Sequence, residues 1–186
     1  MTKRKILALI DSENLYYAPK KIWGPGSKLD YKKLYRVFTK KEADTQAIAY
    51  LVSDPVVDQH RFIECLVKMG YTPKIKTLYP DQGQIQNSNW DDEIIEDGLK
   101  RIDDVDELFM VSGDSDFIPL LAAYKERFKP VSVVCFKDNF NYRLRDFADL
   151  VIFLDQNILM NQRPIPIRQP SYPRPRVLPG CRFPMQ

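Results

Sequence analysis

Four aspartates have the residue type and the spacing that chemistry would need. Asp114 and Asp116 stand in the stretch Val111-Ser112-Gly113-Asp114-Ser115-Asp116-Phe117, directly after the apolar run 108–111. A short apolar run of that kind reads as a strand buried on both faces. Ser112-Gly113 breaks the run, and Phe117-Ile118-Pro119-Leu120-Leu121 begins a helix pattern. Asp11 follows a second such run, residues 5–10, in the turn Asp11-Ser12-Glu13-Asn14. Carboxylates just past a strand's C-terminal end lie on the edge where open α/β sheets bind ligands. Each also suits a helix N-cap, where the helix dipole favours an anion. One Asp is enough for a cap, so a site is distinguished by further carboxylates reaching the same edge.

The helix pattern over residues 90–102 supplies them. At about 100° per residue, Ile94, Ile95, Gly98, Leu99 and Ile102 form one apolar face. Asp91 falls in the middle of that face, Asp92 at its edge beside Leu99, and Asp97 at the opposite edge beside Ile94. A charge on a core-facing line is costly unless it is paired or bound to a metal. Ser88-x-x-Asp91 also resembles a capping box, and Asp97 could pair with Arg101 four residues on. Three carboxylate sources therefore converge by topology. Clustered carboxylates repel, and the usual remedy is a hard divalent cation with oxygen ligands, Mg2+ or Mn2+. The only histidine is His60, and Cys65, Cys135 and Cys181 are widely spaced. With no usable His, Cys or Ser constellation, metal-assisted phosphodiester hydrolysis is the reaction class that fits.

The elements that must position these acids read as alternating strands and helices. Strands are predicted at 5–10, 46–52, 71–79, 108–111, 129–136 and 150–154. Helices are predicted over 30–41, 55–69, 90–102, from 117 onward, and over 139–147. The Lys74-Ile75-Lys76 alternation puts the third strand nearer a sheet edge, and residues 80–89 form a polar loop. This order gives an α/β fold with a mainly parallel central sheet. From 156 the composition changes to prolines interleaved with arginines, so a domain over 1–155 is followed by a disordered Pro/Arg-rich tail over 156–186.

A net charge of +3 hides an asymmetry. Residues 1–41 carry a local balance of +8, residues 42–155 of −10, and residues 156–186 of +5. Basic flanks around an acidic centre suit a polyanion held beside a cation-binding site, although solvated helix faces look the same by charge alone. No apolar run is long enough for a membrane span, and the odd, scattered cysteines point to a reducing cytoplasm.

In this order and context the residues resemble the NYN family, LabA-like members included, of PIN-like nuclease domains, over roughly residues 5–155. The carriers are Ile10-Asp11-Ser12-Glu13-Asn14, Trp90-Asp91-Asp92 with Asp97, Ser112-Gly113-Asp114-Ser115-Asp116-Phe117, and Ala148-Asp149-Leu150 before the last strand. The resemblance implies a PIN-like three-layer α/β/α fold and a Mg2+- or Mn2+-dependent endoribonuclease site. It assigns Asp11, Asp91, Asp114 and Asp116 as catalytic metal carboxylates, with Asp92 and Asp97 as further metal candidates. Asn14 would position a phosphate or a metal-bound water, with Ser112 and Ser115 beside it as substrate-positioning residues. LabA-like members commonly carry Lys three residues before the helix Asp, where this chain has Ser88, and many have Gly in place of Ser12. Lys76, Arg143 or Arg145 are the basic residues that could stand in. Lys20, Lys21, Lys32, Lys33, Arg143, Arg145 and the tail would bind RNA, single-stranded or structured. The alternative is a non-catalytic RNA-binding or regulatory module that keeps the fold. A protein partner for the tail and a homodimer are both left open.

Overall fold

The computed structural model describes residues 3–53, 56–77 and 89–160. Its core is one six-stranded sheet in which every pairing is parallel, in the order β3-β2-β1-β4-β5-β6. The strands are β1 (Arg4–Asp11), β2 (Ala43–Ser53), β3 (Tyr71–Thr77), β4 (Glu107–Val111), β5 (Val131–Phe136) and β6 (Leu150–Leu154). The helices are α1 (Ser12–Trp23), α2 (Tyr31–Phe38), α3 (His60–Lys68), α4 (Asp91–Lys100) and α5 (Ile118–Glu126). Strands β4 and β5 are buried at every position, as continuous apolar runs between two helix layers require.

Alternate residues of β1 feed two cores. Ile6, Ala8 and Ile10 pack with α1, α2 and Leu66 of α3, whereas Leu7 and Leu9 pack with Ile94 of α4 and Leu120, Leu121 and Tyr124 of α5. The result is the expected α/β/α sandwich. The strand order reverses direction between β1 and β4, so the crevice above their C-terminal ends is the sheet's switch point. As the Lys-Ile-Lys alternation indicates, β3 is an edge strand.

Several predicted boundaries move. The helix expected over 55–69 begins only at His60, because residues 56–59 form a turn in which Asp58 Oδ1 accepts from the His60 N–H at 2.9 Å. Pro55 and the expected loop 80–89, apart from Asn89, lie outside the described residues, as does Ser88 with its capping box. The helix expected over 139–147 is instead two 3₁₀ turns, Lys137–Asn139 and Tyr142–Asp146. The Asn141 N–H bonds to Gly113 O at 3.0 Å, and Asn141 Oδ1 caps Arg143, which holds the backbone out of an α-helix. Leu99, expected on the inner face of α4, is 41% exposed. The buried line there runs through Ile94, Asp97 and Gly98, and an added Cβ on Gly98 would stand 2.6 Å from Leu120.

The folded chain also passes the boundary expected at 155. Gln156–Ile158 form a 3₁₀ turn, Leu159 bridges antiparallel to Leu29, and both Ile158 and Leu159 are buried. The Pro/Arg-rich residues from 161 lie outside the described residues. Cys65 and Cys135 are free thiols.

Gly113 decides how closely the Lys137–Asn139 turn can approach the end of β4. A Cβ there would sit 2.3 Å from the Asn139 carbonyl oxygen, a backbone atom that cannot swing aside. Gly113→Ala should therefore destabilise the protein by about 1–3 kcal/mol, the usual range for overpacking. Urea denaturation measures it, and an unchanged midpoint would show that the turn is not packed on Gly113.

Candidate active site

Parallel register brings the first two acids together. Ile10 of β1 is level with Val111 of β4, so Asp11 and Ser112 leave the sheet side by side. Ser112 is fully buried, and its hydroxyl donates to Asp11 Oδ2 at 3.0 Å while accepting from the Asp114 N–H at 3.2 Å. It ties the two carboxylate loops together from beneath. Both acids are also caps, as their residue type predicts. Asp11 Oδ1 accepts from the Asn14 N–H at 3.1 Å, and Asp114 Oδ1 from the Asp116 N–H at 3.1 Å at the start of the 3₁₀ turn Ser115–Phe117. Capping uses Oδ1 of each carboxylate; Asp11 Oδ2 takes the Ser112 hydroxyl, and Asp114 Oδ2 is left for different work.

Asp91 arrives through α4, whose start is anchored on the sheet. The Trp90 indole donates to Leu51 O at 3.0 Å, its ring packs edge-on against Tyr50, and the Lys76 ammonium covers it at 4.5 Å. Lys76 also donates to Asn89 O at 2.7 Å and pairs with Glu93. Asn89 Nδ2 in turn bonds to Asp91 Oδ2 at 2.6 Å. Of the three basic residues that could stand in for the family's lysine, Lys76 is therefore the one built against the α4 start. Arg143 and Arg145 are exposed on the Tyr142–Asp146 turn.

The cleft these elements enclose has a volume of about 860 Å3. Asp11, Asp91, Asp114 and Asp116 line it, together with Asn14, Lys20 and Lys21. Glu13, Asn139, Tyr17 and Trp90 line it too, and none of these was singled out from the sequence for the site. Glu13 carried a signal, because it lies on the Asp11 turn. Asn139 carried none, since it meets the site only through the fold: its Nδ2 donates to Asn14 Oδ1 at 2.6 Å across 125 positions of sequence.

Other expected residues go elsewhere. Asp97 accepts from the Tyr50 hydroxyl at 2.7 Å, pairs with Lys74, and bonds Arg101 at 3.3 Å. Burial pushes its pKa up, but the Lys74 and Tyr50 hydrogen bonds and the two cations bring it below the ordinary value. It is a satisfied ion-pair acid that does not line the cleft. Asp92 is exposed and Ser115 opens the 3₁₀ turn; neither lines the cleft. Lys33 donates to Asn157 O and Leu159 O at 2.9 and 2.8 Å, pinning the segment after β6, and Lys32 is exposed away from the cleft.

Among the described residues, none of the cleft acids is in an ion pair, whereas Asp97, Glu107, Glu93 and Asp149 all are. The consequence is electrostatic stress. Burial raises the Asp91 pKa, and the charges of Asp11, Asp114, Asp116 and Asp92 raise it further, to about 6. Asp11 is pushed up by burial, which outweighs its hydrogen bonds from Asn14 and Ser112. Glu13 is raised by burial and by Asp91. The donors are hard oxygens, and buried Asn139 Oδ1 at the wall has no hydrogen-bond partner among the described residues. In charge and donor chemistry the set fits Mg2+ or Mn2+. No three acidic side chains among the described residues are yet gathered closely enough to share one ion.

The sequence profile of the NYN domain matches residues 5–155. The chain is 28% identical over 160 residues to the low amplitude and bright protein LabA of Synechococcus elongatus, a span of 81% of this chain and 84% of that protein. It also resembles the crystal structure of a protein of unknown function from Vibrio parahaemolyticus. The TM-score is 0.75 at 29% identity, covering 85% of this chain and 97% of the other. No helix among the described residues is long and apolar enough to cross a membrane.

The two kinds of acid should respond oppositely to neutralisation. The Asp91 pKa is raised above its unfolded value, so its favourable contribution is present below pH 3.8 and is lost as pH rises through about 6. Asp91→Asn should therefore raise the metal-free melting midpoint at pH 7.5 by roughly 2–4 °C, discounting for solvent screening. The gain should vanish at pH 4, and calorimetry in chelator at both values checks the sign. Asp97→Asn should instead cost about 2 kcal/mol, because Lys74 and Arg101 lose the carboxylate charge that compensates them. Mn2+ affinity by titration calorimetry should stay the same in that variant.

Proposed function

Because the chain belongs to the NYN domain family, whose members are generally nucleases, we propose that it is an endoribonuclease dependent on Mg2+ or Mn2+. One observation carries this reading. Carboxylates from three separate elements, none of them in an ion pair among the described residues, line one cleft at the switch point of the sheet, where burial and then the charges of Asp11, Asp114, Asp116 and Asp92 push the Asp91 pKa to about 6. A fold keeps such a like-charge cluster when a cation compensates it in the working state. Asp11, Asp91, Asp114 and Asp116 would hold the ion. When bound, it supplies Lewis-acid polarisation of a phosphoryl oxygen and activation of water near neutral pH.

The chain's own residues do the positioning. The Asn14–Asn139 amide pair orients a phosphate at the cleft floor, and Ser112 keeps Asp11 and Asp114 at fixed separation from below. Lys20 and Lys21 on the rim offset the negative charge of the RNA backbone. The free thiols of Cys65 and Cys135 fit a reducing compartment such as the cytoplasm.

The second reading is an RNA-binding or regulatory module without catalysis. The acids are not gathered into a cation cage as they stand, and Ser88 replaces the family's lysine, which favours it. Labelled single-stranded RNA with Mn2+ or Mg2+, beside Asp114→Asn, separates the two. Hydrolysis by the parent and a drop of about 10^3-fold or more in the variant, with RNA still bound, is expected of a lost charge-stabilising group. Binding without hydrolysis in the parent would establish the regulatory module instead, and hydrolysis that survives Asp114→Asn would refute the site.

A further inference from the structure

Helix α1 begins inside the acidic cleft and climbs out of it. Asn14, Tyr17 and Lys21 are three and four residues apart, so they share one face of the helix. They rise about 10 Å from floor to rim at 1.5 Å per residue. All three line the cleft, with Ala18 as the small residue between the aromatic and the second lysine. Tyr17 is 60% exposed there and Tyr16 beside it 55%, both far above what a tyrosine of a packed helix needs.

The two rings do different things. The Lys20 ammonium sits 3.3 Å from the centroid of Tyr16, so a cation already covers that ring. Tyr16 meets Tyr17 in a T-shaped contact, centroids 5.1 Å apart at 84°, and does not itself line the cleft. Tyr17 is thus braced from the side, faces the cleft and has Lys20 and Lys21 three and four residues further along the helix. A rigid aromatic ring beside cationic side chains is the arrangement that holds an unpaired base while its phosphates are neutralised. In a base-paired duplex each base is already stacked and faces its partner, so its face is not available to the ring.

Resting on the reading of the cleft as an RNA site, we propose that Tyr17 is a base-stacking subsite, flanked by Lys20 and Lys21. It holds one unstacked nucleotide next to the phosphate at Asn14 and selects single-stranded RNA over duplex. Its contribution is sequence-tolerant, because every base offers a π-face.

The test uses the full chain carrying Asp114→Asn, with Mg2+, and fluorescent single-stranded RNA oligonucleotides in which one abasic nucleotide is moved along the strand. Adding Tyr17→Ala should weaken binding of intact oligonucleotide about tenfold, with Tyr17→Phe close to the parent. The salt dependence should keep its slope, because no phosphate contact is removed. At one abasic position the loss from Tyr17→Ala should disappear, since the base that stacks is already missing. Duplex RNA of the same sequence should bind more weakly and be indifferent to Tyr17. Additive losses at every position, equal duplex affinity, or no effect of Tyr17→Ala would overturn the subsite, whether or not the parent cleaves. Tyr17-dependent binding by a parent that does not hydrolyse RNA would sustain the subsite and refute catalysis, and a parent that binds no RNA would refute both.

Discussion

Everything at the cleft depends on the parallel register that sets Ile10 of β1 against Val111 of β4. A parallel ladder keeps the two strand ends on the same side of the sheet, so the turns that follow open into one crevice. Asp11 and Ser112 then meet within hydrogen-bond range, and Asp114 hangs from Ser112 through its backbone N–H. A slip of one residue would turn Asp11 to the opposite helix layer. Packing opposes that slip, because Ile6, Ala8 and Ile10 fit one core and Leu7 and Leu9 the other, and a slip would exchange side chains of different size and shape between them.

The acids of this protein sort into two populations by what faces them. Glu107 is buried but lies between Arg4 and Lys40, at 3.3 and 3.0 Å. Asp97 is buried among Lys74, Arg101 and Tyr50. Their charge is compensated within the fold, and removing one partner would leave the other uncompensated. Asp11, Glu13 and Asp91 have upward-shifted pKa values because burial and one another's charges oppose ionisation. The energy stored in that second group is what a divalent cation would release on binding.

Placement of Asp91 shows how a site is built from elements that do not themselves react. Trp90 reaches the β2 backbone with its indole N–H, Tyr50 packs on Trp90 and also holds Asp97, and Lys74 from β3 holds Asp97 from the other side. Lys76, also on β3, holds the Asn89 carbonyl just before the helix. Helix α4 is therefore clamped to two strands at its start and its middle. Its N-terminal acid cannot retreat from the repulsion of Asp11 and Asp114 without breaking those contacts. This rigidity is how the fold sustains an unfavourable arrangement of charge.

By itself the sequence determined the alternation of strands and helices, the parallel sheet, and the arrival of Asp11, Asp91, Asp114 and Asp116 at one edge. Those features are local. Apolar runs, turn residues and helical periodicity act over a few residues, and topology rules then allow few arrangements. Tertiary structure alone decided which polar residues share the cleft with those acids. It took Asp97 away to Lys74, buried Ser112 as a tie, spent Lys33 on the segment after β6, and brought Asn139 to Asn14. It also broke the expected 139–147 helix at Gly113 and carried the folded chain past residue 155 to Met160. Each of these rests on a partner tens of residues or more away, and no local pattern records which distant donor, cation or carbonyl will face a side chain once the sheet has closed.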